Sequence, residues 1–214
     1  SAVCHDLGVD VRRESPVRSI LTDRGRAIGV RLEDGRQIDA KIVASSVDAH
    51  LTFEKFLTPS ELPAYFREAV ARIDYSSASA KINLALAEPP RFTCLPTDGV
   101  GPHHHGTMHI GPSLAYLERA YDDAKYGRPS ERPILEMTMA TSVDHSIAPP
   151  GKHLLSIFVQ YAPYKLAEGS WDDIKEQFAD RCIETLAEYA PNVPAAIEHR
   201  QVLSPLDLER TFGI

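Results

Sequence analysis

Apolar and polar positions alternate through two stretches near the start of the chain. Ile28, Val30 and Leu32 fall on every second position of residues 26–33, and Ile38, Ala40, Ile42 and Ala44 do the same in residues 37–45. A two-residue period turns one face of a strand toward a core and the other toward solvent. The breaks are turn chemistry: Asp23-Arg24-Gly25 and Glu33-Asp34-Gly35 place glycine where a left-handed residue is needed. With Pro16-Val17 and Ile20 ahead of them, residues 8–46 predict a three-stranded meander. Its last strand is expected to leave through a short apolar run toward a more buried place, ending in the hydroxyls of Ser45 and Ser46. A helix end over residues 2–7, closed by Gly8, precedes it.

The period then lengthens. Asp48 is placed to cap a short helix carrying Leu51, Phe53 and Phe56. Thr58-Pro59-Ser60-Glu61 reads as a capping box with proline at the first helical position. The helix it opens presents Leu62, Phe66, Val70 and Ile73 as one stripe. Residues 78–87 return to period two, with Ala78, Ala80, Ile82, Leu84 and Leu86 on one face and Ser79, Lys81 and Asn83 on the other. Pro89-Pro90 ends that strand.

An irregular segment rich in Pro, Gly and His (residues 91–105) leads to a short strand at 106–111. Ser113 caps a helix bearing Leu114, Leu117, Tyr121 and Ala124, stopped by Gly127. Strands at 134–142 and 153–161 are joined through Pro149-Pro150-Gly151. Ser170 caps a long helix with Trp171, Ile174, Phe178, Cys182 and Leu186 along one stripe and Pro191 past its end. Strands and helices in this order predict an α+β fold, an antiparallel sheet with helices packed on it, preceded by the meander.

Composition narrows the functional classes. The 214 residues suffice for one large domain, or one domain and part of another. A net charge of −7 without a Lys/Arg cluster argues against a nucleic-acid partner. No apolar run approaches the length of a transmembrane helix. Cys4, Cys94 and Cys182 lie far apart with no CxxC, a usage that suits buried thiols in a reducing compartment.

Pro16-Val17-Arg18-Ser19-Ile20, the hairpin from Gly25 through Gly35 to Ala40, and Ile42-Val43-Ala44-Ser45 together carry a resemblance. The layout is similar to one segment of FAD-dependent oxidoreductases of the phytoene-desaturase and amine-oxidase type. An ordered set extends it over nearly the whole chain: Lys81-Ile82-Asn83-Leu84-Ala85, the His105…His109-Ile110 region, Gly127-Arg128-Pro129-Ser130-Glu131-Arg132-Pro133, Ala148-Pro149-Pro150-Gly151-Lys152-His153, Gln160-Tyr161-Ala162-Pro163-Tyr164 and Pro205-Leu206-Asp207-Leu208-Glu209-Arg210. The resemblance implies that Val17 offers main-chain groups to the adenine. It also implies that Ala44, Ser45 and Ser46 let the chain pass close to the dinucleotide. Residues 1–47 would then be part of an FAD-binding domain and residues 48–214 a substrate or cap domain.

The glycine-rich turn G-x-G-x-x-G, which brings a helix N-terminus to a pyrophosphate, occurs nowhere in the sequence. In the family it lies upstream of the meander, and a second flavin-contacting segment lies downstream. The chain is therefore expected to be the middle of a longer protein. The intact parent would hold FAD and oxidise a C–C or C–N bond of a small, largely apolar substrate. This chain alone would retain no cofactor, and the remainder of the parent would be its partner. The expected compartment is the cytoplasm in a bacterium and the mitochondrion in an animal. Catalytic residues are not identified by the resemblance.

Lys81 and Asn83 project opposite an apolar row. They are either polar groups of a substrate cavity or part of a solvated sheet face. His103, His104, His105 and His109 carry metal-ligand chemistry, but Gly106 and Thr107 are poor helix formers and the glutamate of HExxH is missing. The run reads as a mobile surface loop with no metal, and His109, on a strand, has the better claim to the substrate side. Asp144-His145-Ser146 has the residue types of a hydrolytic triad, but adjacency in sequence is not its geometry. Tyr161 and Tyr164 read as core packing rather than cavity walls. Two other classes stand beside the enzyme reading: a non-catalytic interaction or apolar-ligand module derived from the family, and a metal-dependent hydrolase built on the histidines.

Overall fold

Residues 17–39 pair as an antiparallel meander of β1 (Val17–Asp23), β2 (Arg26–Leu32) and β3 (Gln37–Asp39), in that spatial order. The structure, a computed structural model, describes residues 2–75 and 79–213. Both predicted turns form, with Gly25 and Gly35 at φ 78° and 87°. Gly29 is required for another reason: a Cβ there would lie 2.2 Å from the Ile38 carbonyl oxygen across the β2–β3 ladder. Ahead of the meander, α1 (Ala2–Asp6) is followed by Gly8 in the left-handed region.

The last predicted strand is shorter than its alternation suggests. β3 stops at Asp39, and only the Ala40 N–H still reaches across, to the Ile28 carbonyl. Beyond it the chain runs without a ladder partner among the described residues. Ile42 is 84% exposed, so the expected passage to a buried place is not made. Alternation specifies which side chains share a face, but it does not supply a neighbouring strand.

Residues 48–74 join the meander. The Asp48 carboxylate accepts the Leu51 N–H (2.9 Å) at the start of a π-helical turn, Leu51–Lys55. Glu61 closes the Thr58 box around a 3-10 turn (Pro59–Glu61) and also accepts the Thr22 hydroxyl of β1. The predicted helix does not continue from there. Pro63 holds Leu62 extended (φ −124°, ψ 143°), and α2 begins afresh over Ala64–Ala71. Its stripe reduces to buried Val70 and to Phe66, which meets Phe53 edge-on at 4.9 Å, while Ile73 stays exposed. The Ile20 N–H donates to the Phe56 carbonyl (2.8 Å), and Ser45 Oγ lies 2.7 Å from Thr52 Oγ1. These bonds lie within one compact unit, Ser1–Asp74, and Tyr75–Ile214 is the other. The structural division thus falls after Asp74, where the sequence placed a boundary after Val47.

The second unit is built on a five-stranded antiparallel sheet. Its strands are β4 (Ser79–Leu86), β5 (Met108–Ile110), β6 (Ile134–Thr138), β7 (His153–Gln160) and β8 (Ile197–Leu203), in the order β5-β6-β7-β4-β8. In β4 the predicted faces hold: Ala80, Ile82, Leu84 and Leu86 are buried and the alternate residues are not, while Ala78 lies outside the described residues. The helix α4 (Trp171–Ala187) seals the buried face with Trp171, Phe178, Cys182 and Leu186. Ser170 Oγ caps it by accepting the Asp172 N–H. The chain is α+β, as the pattern predicts.

Three details differ from the sequence reading. β6 ends at Thr138, and Ala140–Ser142 forms a 3-10 turn instead of more strand. In α3 (Leu114–Lys125) the buried residue is Ala120, and Leu114 is 84% exposed. The Ser130 hydroxyl donates to the Ala120 carbonyl and the Tyr116 hydroxyl to the Pro133 carbonyl, which rotates Leu114 away from the core. The sequence reading missed α5 (Val193–Ala196), β8 and α6 (Pro205–Phe212). β8 is an edge strand whose middle, Glu-His-Arg-Gln, has no apolar member to alternate.

Leu84→Ala is expected to cost about 2–5 kcal/mol in urea unfolding, the range for a fully buried leucine. Leu114→Ala should change the midpoint negligibly. Comparable losses at both positions would contradict the assigned core.

Candidate functional site

Sealing one side of the sheet leaves the other side to carry the polar alternates. Cross-strand register arranges them in rows. His109 of β5, Glu136 of β6, Phe158 of β7, Lys81 of β4 and Leu203 of β8 form one row. Thr138, Ser156, Asn83 and Gln201 form the next, and Leu154, Ala85 and His199 a third. The three substrate-side candidates, Lys81, Asn83 and His109, therefore share one face. Lys81 and His109 stand three strand spacings apart, about 14 Å.

The face is mixed rather than simply solvated. Phe158 and Leu154 remain 38% and 36% exposed on it. Lys81 is half-buried, and no hydrogen bond or ion pair engages its amine among the described residues. Asn83 is engaged on both sides: it accepts from the Ser156 hydroxyl (3.2 Å) and donates to Gln201 Oε1 (2.9 Å). His109 Nδ1 lies 3.9 Å from Glu136 Oε2, with both side chains well exposed. Glu136, Ser156, Phe158 and Gln201 were not singled out from sequence. Register alone brings them beside the residues that were.

Ser45 lines a cleft of about 680 Å³ in the first unit, with Ile20, Val43, Phe53, Leu57 and Leu62. Val17, Ala44 and Ser46 do not line it. Val17 opens β1 half-buried, and Ala44, Ser45 and Ser46 are exposed. Hydrogen bonds from Thr22 and then Thr58 hold the Glu61 carboxyl, also on this cleft, below its ordinary pKa.

The histidine run is a 3-10 turn (Pro102–His105) that leaves His105 exposed but turns His104 inward. His104 is 1% exposed; its Nδ1 accepts the Gly101 N–H (2.9 Å) and its Nε2–H donates to the Pro90 carbonyl (2.9 Å). His103 packs on it at 3.9 Å between ring centroids and meets Phe92 edge-on. Both His103 ring nitrogens and His153 Nδ1 are buried without a partner. Burial, and then neighbouring imidazoles, pushes the pKa of His103 and His153 below the ordinary 6.5. Among the described residues no three His, Cys, Asp or Glu side chains are placed to hold a metal. Asp144 Oδ1 takes both the N–H and the hydroxyl of Ser146, a turn contact that bypasses His145. Tyr161 stacks edge-on with Tyr121 (5.3 Å), and the Tyr164 hydroxyl donates to Glu209. Of the cysteines, Cys182 alone is fully buried, its thiol pKa pushed up by desolvation, whereas Cys94 is exposed.

The chain joins a meander unit in sequence to a helix-backed antiparallel sheet with one open, mixed face, an α+β layout. The chain belongs to the flavin containing amine oxidoreductase family, whose family model matches residues 1–205. The pyridine nucleotide-disulfide oxidoreductase domain-containing protein 2 of Rattus norvegicus is 36% identical over the full length of this chain, which covers 38% of that relative. The zeta-carotene-forming phytoene desaturase of Myxococcus xanthus is 28% identical, with 99% of this chain and 38% of the relative aligned. The chain thus spans less than two fifths of these relatives. A crystal structure of an oxidoreductase from Methanosarcina mazei superposes with a TM-score of 0.56 at 22% identity, over 95% of this chain and 41% of that one, a likeness of fold. No described helix is long and apolar enough to cross a membrane.

The depressed histidines fix the sign of a pH effect. Below 6.5 the unfolded chain takes up protons at positions 103 and 153 that the folded chain refuses. Stability is therefore full above that value and declines as pH falls through it toward the lowered folded pKa. Urea midpoints measured from pH 7.5 down to about pH 5 should fall, and His103→Phe with His153→Phe should flatten the decline. An unchanged slope in the double variant would contradict the assignment.

Proposed function

We propose that this chain works within a longer FAD-dependent oxidoreductase that removes a hydride equivalent from a C–C or C–N bond of a largely apolar substrate. The observation that carries the reading is the family match, which runs through both compact units. The relatives' names, among them phytoene desaturases and a limonene dehydrogenase subunit, favour an apolar substrate. When bound, FAD would supply the two-electron acceptor.

The residues present fit one side of that cofactor. Ala44, Ser45 and Ser46 are small and exposed on a segment without a ladder partner among the described residues, so backbone can approach a dinucleotide closely there. Val17 would meet the adenine end. The sequence contains no G-x-G-x-x-G turn for the pyrophosphate. The open face of the second unit's sheet would bind and orient the substrate. Phe158, Leu154 and Leu203 would exclude water from it, and Lys81 would hold a water or orient a polar group at the reacting end. Asn83 would position its neighbours.

The test is colour. The full-length polypeptide carrying this chain should purify yellow or take up FAD, and this chain alone should be colourless after gel filtration in excess FAD. A full-length protein that never holds flavin would overturn the reading, and an isolated chain that keeps it would overturn the expectation that the meander unit needs the rest of the polypeptide to hold FAD.

A further inference from the structure

We infer that the open sheet face recognises an apolar acid, with the carboxylate held between the Lys81 amine and the side-chain amide of Gln201. This rests on the reading of that face as the substrate wall, and narrows the substrate class within it.

The first observation is the direction of the hydrogen-bond chain across the sheet. The Ser156 hydroxyl donates to Asn83 Oδ1, and Asn83 Nδ2 donates to Gln201 Oε1. Gln201 thus turns its carbonyl oxygen toward the protein, and the donors of its Nε2 are left at the exposed end of the chain. A face that ends in donors selects an acceptor.

The second observation is uncompensated charge. On β8 the alternate residue Arg200, facing the helix side, pairs with Glu176 and Asp180 of α4, and Lys152 pairs with Glu198. Lys81, half-buried on the open face, has no such carboxylate among the described residues. Opposite Leu203 and one register step from Gln201, Lys81 stands diagonally across the β4–β8 pair from it. Diagonal neighbours lie about 7–8 Å apart at the backbone, a gap that one carboxylate can bridge from two longer side chains.

The third observation is where the apolar surface lies. Phe158 and Leu203 flank Lys81 on its two neighbouring strands, and Leu154 continues the patch along β7. Glu136 stands two strands from Lys81, about 10 Å away, beside His109. Its charge repels an anion from the β6 side and leaves the β4–β8 side as the acid's place. An amine would be placed the other way round.

Titration of the isotope-labelled 214-residue chain with decanoate, decylammonium and decane-saturated buffer, read by amide chemical shifts, tests this. Decanoate should shift the backbone at positions 81, 83 and 201–203 and the Gln201 side-chain amide, and should bind more tightly than decylammonium. Lys81→Met and Gln201→Leu should each weaken decanoate about tenfold. Lys81→Arg should retain it. Asn83→Asp, which can only accept, should turn Gln201 around and reverse the preference toward decylammonium. Superimposable shifts elsewhere in each variant establish that it is folded. Equal binding of acid and amine, shifts confined to other residues, or variants without effect would overturn the inference. No flavin enters this assay, so its failure leaves the oxidoreductase reading to the colour of the full-length protein.

Discussion

β4 hydrogen-bonds to β7 along one edge and to β8 along the other, with strict alternation of buried and unburied residues along its length. A one-residue slip in either pairing would carry Ile82 and Leu84 to the open side and bring Lys81 and Asn83 into the core. The cost of burying an unpaired amine and a carboxamide holds the register. Because the register is held, side chains from five strands meet in rows, and α4 can seal one face while the other stays free. The apolar stripe of Trp171, Phe178, Cys182 and Leu186 is the complement that this constraint demands.

The first unit depends on smaller devices. Gly29 lets β2 and β3 approach more closely than any side chain would allow. Glu61 gathers the hydroxyls of Thr22 and Thr58 with the Thr58 backbone, tying the helical segment to β1. Residues 41–46 gain no comparable tie within the sheet. Among the described residues the Ser45–Thr52 hydrogen bond and half-buried Val43 hold them to the helical segment, and exposed Ile42 beside small hydroxyl residues leaves a surface that suits close backbone approach.

Elements that advertise themselves locally were legible in the sequence. The meander turns, the caps at Asp48, Ser113 and Ser170, and the faces of β4 follow from glycine, capping oxygens and period two. What failed depended on partners far along the chain. The strand expected over residues 37–45 needed a neighbour, and the helix from Thr58 had to break where Pro63 forbids a helical Leu62. β8 could not be read because an edge strand need not alternate. The histidine run misled because its composition is polar, yet Gly101 and Pro90 satisfy the His104 ring inside the unit. At the candidate site, Lys81, Asn83 and His109 were legible by alternation, but Glu136, Phe158 and Gln201 become their neighbours only through register.

Central to the proposal is that the meander unit would serve a flavin while the second unit's sheet would turn its open face to substrate. Amide hydrogen exchange of the full-length polypeptide, with FAD bound and after its removal, tests it most directly. Loss of FAD should raise exchange at Val17–Ser19 and across residues 43–47, and should leave the β4 and β7 amides around Ile82 and Ile157 unchanged. Exchange at residues 17–19 and 43–47 that is indifferent to FAD would contradict the account.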